Sequence, residues 1–115
     1  MPSFSRSGEF YGASSVTGPS SALVRIRFAP EHNDVPAVSV LVADKHHANP
    51  PISDVVQSVC DAIQFANDEF GTQLVPAEIE YQCDNDGRSR LIGRCAYLIV
   101  QRLAKLGDGD FVGVV

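Results

Sequence analysis

Tryptophan is missing from this 115-residue chain, methionine occurs once, and basic side chains are outnumbered, nine Lys and Arg against fourteen Asp and Glu. The uninterrupted apolar runs are only a few residues long, far short of the roughly 20 that a membrane-crossing helix needs. A soluble protein without membrane contact is predicted. The opening residues MPSFSRSGEF hold no apolar segment behind a basic one, so no secretory signal is expected. A formal charge of −5 repels phosphate backbones overall and argues against non-specific nucleic-acid binding, while leaving room for a local basic edge. Cys60, Cys83 and Cys95 are odd in number and widely spaced, each inside an apolar pattern. Such cysteines read as buried free thiols rather than a disulfide framework, and they point to a reducing compartment, the cytoplasm.

The length suits one domain with one core. Residues 1–21 are rich in Ser and Gly, and this composition predicts a flexible arm unless Phe4, Phe10 and Tyr11 find a place to dock. The single folded domain is then expected over residues 22–115. In ALVRIRF (22–28), Ala22, Val24, Ile26 and Phe28 alternate with Leu23, Arg25 and Arg27, the period of a strand with one buried face and one wet, basic face. PAVSVLVAD (36–44) reads as a second strand, rich in β-branched residues, and the two are expected to form an antiparallel hairpin. After KHHANPP, Ser53 or Asp54 is placed to cap a helix in which Val55, Val56, Val59, Cys60, Ile63, Ala66 and Phe70 recur at helical spacing up to Gly71. AEIEYQC (77–83) alternates again, now with an acidic outer face. A second amphipathic helix spans Leu91 to Leu106 and stops at Gly107, and the tail DFVGVV either adds a short strand or frays. The order β-β-α-β-α, with one apolar stripe per helix, predicts an α+β two-layer sandwich with both helices on one face of a small mixed sheet.

QCDNDGRSRLIG (82–93) is the most chemically loaded stretch. As a calcium loop it supplies Asp84 and Asp86, but the later ligand positions fall on Arg88, Ser89 and Cys95, where Gly and a bidentate Glu are needed. As a phosphate cradle it offers Gly87 ahead of a helix N-terminus with Arg88, Arg90 and Arg94 near, against the opposing charges of Asp84 and Asp86. As a plain turn, Asp86-Gly87 reverses the chain and Ser89 or Asp86 caps the helix. No nucleotide-binding glycine motif stands anywhere. His46 and His47 are adjacent loop residues and His32 lies between Glu31 and Asn33, so none forms a legible metal set. Glu78 and Glu80 share one solvent-facing side of a strand. No metal, cofactor or activated nucleophile is expected, and the chain reads as a non-enzyme.

The layout VRIRFAP, PISDVVQSVCDAIQFA, VPAEIEYQCDNDGRS and RLIGRCAYLIVQRLAK resembles domain IV of elongation factor G, with Ile79, Tyr81, Asp86-Gly87-Arg88-Ser89, Ala96 and Ala104 in comparable places. The resemblance covers about Gly18 to Lys105 and implies the ribosomal-protein-S5-domain-2-like fold. It also implies a domain that acts by shape, its loop end contacting the ribosome or other structured RNA. On that expectation Asp84, Asn85, Asp86, Gly87, Arg88, Ser89 and Arg90 form a tip loop, with Arg25 and Arg27 adding phosphate contacts. The alternative is a protein-interaction or self-associating module without an RNA role, docking a partner or a second copy through a strand edge or through the basic face of ALVRIRF and the acidic face of AEIEYQC.

Overall fold

In a computed structural model of the chain, residues 2–17, 20–29, 36–40, 51–83 and 89–114 are described. The elements run β1 (Ser3–Ser7), β2 (Phe10–Thr17), β3 (Ser20–Ala29), β4 (Ala37–Val40), α1 (Ile52–Phe70), β5 (Val75–Cys83), α2 (Ser89–Leu106) and β6 (Gly113–Val114). The strands form one sheet in the order β4-β5-β3-β2-β1-β6. All neighbours are antiparallel except β4 and β5, which are parallel and joined through α1. The class is α+β, as predicted, with more strands than the five-element order contained.

Alternation along the strands sorts the sheet into two faces. Phe4, Ala13, Ala22, Val24, Ile26, Ile79 and Tyr81 are buried on one side, in a single cluster with Val55, Val59, Ile63 and Ala66 of α1 and Ile92, Cys95, Ala96, Ile99 and Val100 of α2. Both helices therefore cover the same face, and among the described residues the other face has no helix upon it. That second face carries Ser5, Gly12, Arg25, Glu80 and Ser39 in one cross-strand row. Small hydroxyl residues dominate its β1–β2 half, so the strand alternation there carries little contrast in hydropathy.

Three expectations are corrected. Residues 3–17, expected as part of a flexible arm, form β1 and β2, a hairpin closed by Gly8-Glu9. Phe4 and Tyr11 supply the docking: Phe111 meets both rings edge-on, at 5.5 Å and 4.9 Å between centroids, and Arg102 lies over the Phe4 ring at 4.4 Å. The second correction concerns β3 and β4, which are not a hairpin, because β5 is inserted between them. Arg25 faces Glu80 and Arg27 faces Glu78 across the β3–β5 ladder, so the opposite charges on the two strand faces favour that pairing over the sequence-adjacent one. Pro76 is tolerated in β5 because it lies at the register shift opposite Arg27 and Phe28, beyond the reach of β4. The third concerns the start of α1. Pro51 occupies the N-cap with no side-chain cap bond, so Ser53 and Asp54 fall inside the first turn.

Two local devices fix the helix layer. Gly71 ends α1 in the left-handed conformation at φ 70°, as the sequence predicts. The Asn67 side chain then holds the turn to β5, donating to the Leu74 carbonyl at 2.9 Å while its oxygen accepts from the Thr72 hydroxyl and the Leu74 N–H. At Gly93 the helices approach closely, and a Cβ there would stand 3.1 Å from the Ser58 carbonyl oxygen. Ser58 meets Gly93, and farther along Glu69 accepts from the Tyr97 hydroxyl at 2.6 Å, so α1 and α2 run in the same direction.

Candidate interaction surface

Of the binding residues expected from the sequence, the structure describes Arg25, Arg27, Ser89 and Arg90. Asp84, Asn85, Asp86, Gly87 and Arg88 lie outside the described residues, as do His32, His46 and His47. Ser89 opens α2, and Arg90 is exposed in its first turn. Arg25 and Arg27 sit on the helix-free face of the sheet, on the opposite side from α2. Arg27 donates through two nitrogens to Glu78 Oε1, at 3.0 Å and 2.7 Å, and Arg25 stands 4.0 Å from Glu80. The basic face of β3 and the acidic face of β5 thus meet within one chain.

A cleft of about 490 Å³ opens at one end of the sandwich, lined by Arg6, Tyr11, Arg27, Phe28, Leu74 and Leu103 among others. Its two guanidinium groups are already engaged. Arg6 pairs with Asp108 and stacks on Tyr11 at 4.1 Å, while Arg27 pairs with Glu78. A ligand that used either guanidinium would have to replace those partners.

The outer surface of the helix layer is different. The sequence ISDVVQSVCDAIQFANDEF gives α1 four acidic side chains and none that is basic, whereas SRLIGRCAYLIVQRLAKL gives α2 four basic ones and none that is acidic. Asp54, Asp61 and Asp68 repeat every seven residues, two helical turns, and so form one exposed row. On α2, Arg90, Arg94 and Lys105 are exposed. The fourth base, Arg102, is turned aside, donating to the Phe111 carbonyl. Among the described residues no ion pair joins α1 to α2.

Between the two charged rows lies an aromatic seam. Phe65 is 65 % exposed, and Tyr97 sits between it and Phe70 with both centroid distances at 5.9 Å. Glu69 anchors Tyr97, and that hydrogen bond, with some burial and the carboxylate charge, raises the phenol above its ordinary pKa. The segregation of charge is present in the sequence, where the apolar periodicity of both helices marks only their core-facing stripes. Phe65 is the residue that periodicity leaves over.

Among the described residues no group of three His, Cys, Asp or Glu side chains is arranged to hold a metal ion. Cys95 is buried, and burial pushes the half-buried Cys60 thiol up, with Asp61 adding to the shift. No helix among the described residues is long and apolar enough to cross a membrane. Comparison with family models, with curated proteins and with solved structures finds no match to this chain.

Proposed function

We propose that this chain is a non-enzymatic protein-interaction module whose recognition surface is the outer side of the α1–α2 layer. One observation carries the reading. An acidic helix and a basic helix lie side by side around an exposed aromatic seam, and among the described residues no ion pair joins the two helices. Exposed aromatic side chains flanked by charge have the make-up of interaction hot spots, where the ring supplies buried area and the charged rim sets orientation. The free thiol at Cys60 is in keeping with a cytoplasmic site of action. Affinity capture from cell extract tests the reading, using wild type and a Phe65→Glu, Asp61→Arg, Arg94→Asp variant after nuclease treatment. The expected result is at least one protein species recovered by wild type and lost with the variant. An identical set recovered by both contradicts the reading.

A second reading, contact with structured RNA as in domain IV of elongation factor G, is favoured by one feature. Arg90 and Arg94 are exposed at the start of α2, whose first turn has no acid to balance them. Positive side chains there add to the positive end of the helix dipole. Arg25 and Arg27 do not strengthen this reading, since each faces a glutamate. Filter binding to structured RNA is the test: binding should fall steeply with salt and be abolished by Arg88→Glu with Arg90→Glu. Salt-insensitive or absent binding rejects it.

A further inference from the structure

We infer that the partner seated on the α1–α2 surface is a second copy of this chain, in a symmetric dimer whose twofold axis runs along the groove between the two helices. The inference rests on the interaction reading above and specifies its partner.

The direction of the axis follows from the charges. A twofold lying in the interface can run along the helices or across them. An axis across them would lay α1 on α1 and α2 on α2, setting Asp54, Asp61 and Asp68 against their own copies and Arg90 and Arg94 against theirs. An axis along the groove lays each α1 on the partner's α2. Because α1 and α2 run in the same direction, that operation keeps heights along the axis unchanged. Asp61 and Arg94 both stand within one turn of the Ser58–Gly93 crossing, so each Asp61 faces an Arg94 across the interface, and Asp68 comes within reach of Lys105. The acid and base rows of one chain are thus complementary to those of an identical chain.

Phe65 and Tyr97 line the groove and therefore lie close to the axis, where each ring meets its own copy, while Phe70 packs beneath them against the core. A central aromatic cluster within a charged rim is the arrangement that carries most association energy in small interfaces. Helices of 19 and 18 residues make a face about 28 Å long and roughly 20 Å wide. Allowing for side-chain relief, that face is comparable with the ~800 Å² per partner found in stable dimers.

Sedimentation equilibrium over a wide concentration range tests the inference with four proteins: wild type, Phe65→Glu, an Asp61→Arg variant that sets a base against Arg94 of the other copy, and an Arg94→Asp variant that sets an acid against Asp61 of the other copy. All substituted residues are exposed, so far-ultraviolet circular dichroism should match wild type. The expected result is a wild-type dimer that weakens with added salt. Each variant alone should dimerise at least ~10-fold more weakly, as expected for like charges set opposite one another and for a lost aromatic centre. An equimolar mixture of the two charge variants should recover a dimer, since each position 61 then faces a position 94 of opposite sign. A wild-type chain that stays monomeric at every concentration overturns the inference while leaving the interaction reading to the capture experiment. A wild-type dimer unchanged in all three variants also overturns it, placing self-association elsewhere, such as the β4 edge.

Discussion

Replacing Gly93 by valine should destabilise the fold, and the size of the effect can be worked from the helix crossing. A Cβ at this position would lie 3.1 Å from the Ser58 carbonyl oxygen and 3.4 Å from its Cβ. Alanine there requires the helices to part by a few tenths of an ångström, against which stands the ~1 kcal/mol that Gly→Ala contributes inside a helix. Gly93→Ala should consequently fall within about 1 kcal/mol of wild type. Valine adds two methyl groups to the same crowded point and loses part of the helix preference, so the overpacking cost of ~1–3 kcal/mol dominates. A loss of ~2 kcal/mol, with a urea slope of ~1.5 kcal/mol/M, lowers the unfolding midpoint by ~1.3 M. The obstacle is main-chain carbonyl, so Ser58→Ala should not rescue Gly93→Val in a double-mutant cycle. Equal stability of the alanine and valine variants, or strong rescue by Ser58→Ala, would refute the close helix approach that positions the candidate surface.

Other consequences are measurable with standard variants. Phe111→Ala removes a fully buried ring that holds β6 and the α2 terminus to Phe4 and Tyr11, and urea unfolding should show a loss of ~3–5 kcal/mol. The Arg27–Glu78 pair is partly exposed, so a double-mutant cycle should give a coupling of ~0.2–1 kcal/mol that shrinks with salt. Because the folded-state pKa of Tyr97 is raised, its stabilising contribution is complete below the ordinary tyrosine range and disappears as pH rises through the raised value. Ring-carbon NMR should show its titration displaced upward, and Glu69→Gln should bring it back toward the usual value. Raised thiol pKa at Cys60 and burial of Cys95 predict slow reaction of both with an aromatic disulfide reagent in the native protein and fast reaction in urea.

The elements most legible in the sequence are those whose burial pattern is written in large apolar residues. α1 and α2 were expected at Ser53 or Asp54 to Gly71 and at Leu91 to Leu106, and they differ from the observed Ile52–Phe70 and Ser89–Leu106 by at most two residues. The alternations of β3 and β5 carry over in the same way. β1 and β2 were missed because Ser3, Ser5, Ser7 and Ser14 fill their outward positions, and a row of small polar residues has the composition of a linker. Their stability comes from β3 and from Phe111, neither visible in a local window. The position of β4 beside β5 depends on a parallel crossover through α1, a long-range pairing that adjacency in sequence argues against. The candidate surface was legible only as charge bookkeeping: α1 wholly acidic, α2 wholly basic. That the two helices lie together with Phe65 left exposed between them is a tertiary fact.

Zero-length carbodiimide coupling of mixed isotope-labelled and unlabelled chains, followed by peptide mass spectrometry, tests the helix-layer interface most directly. Lys105 is the one lysine among the described residues, and the account places it opposite the α1 carboxylates of the other chain. Labelled-to-unlabelled peptides joining Lys105 to Asp68 are the predicted result. Cross-chain links that join Lys105 only to Glu78 or Glu80 on the far side of the sheet, or no cross-chain link at all, would contradict it.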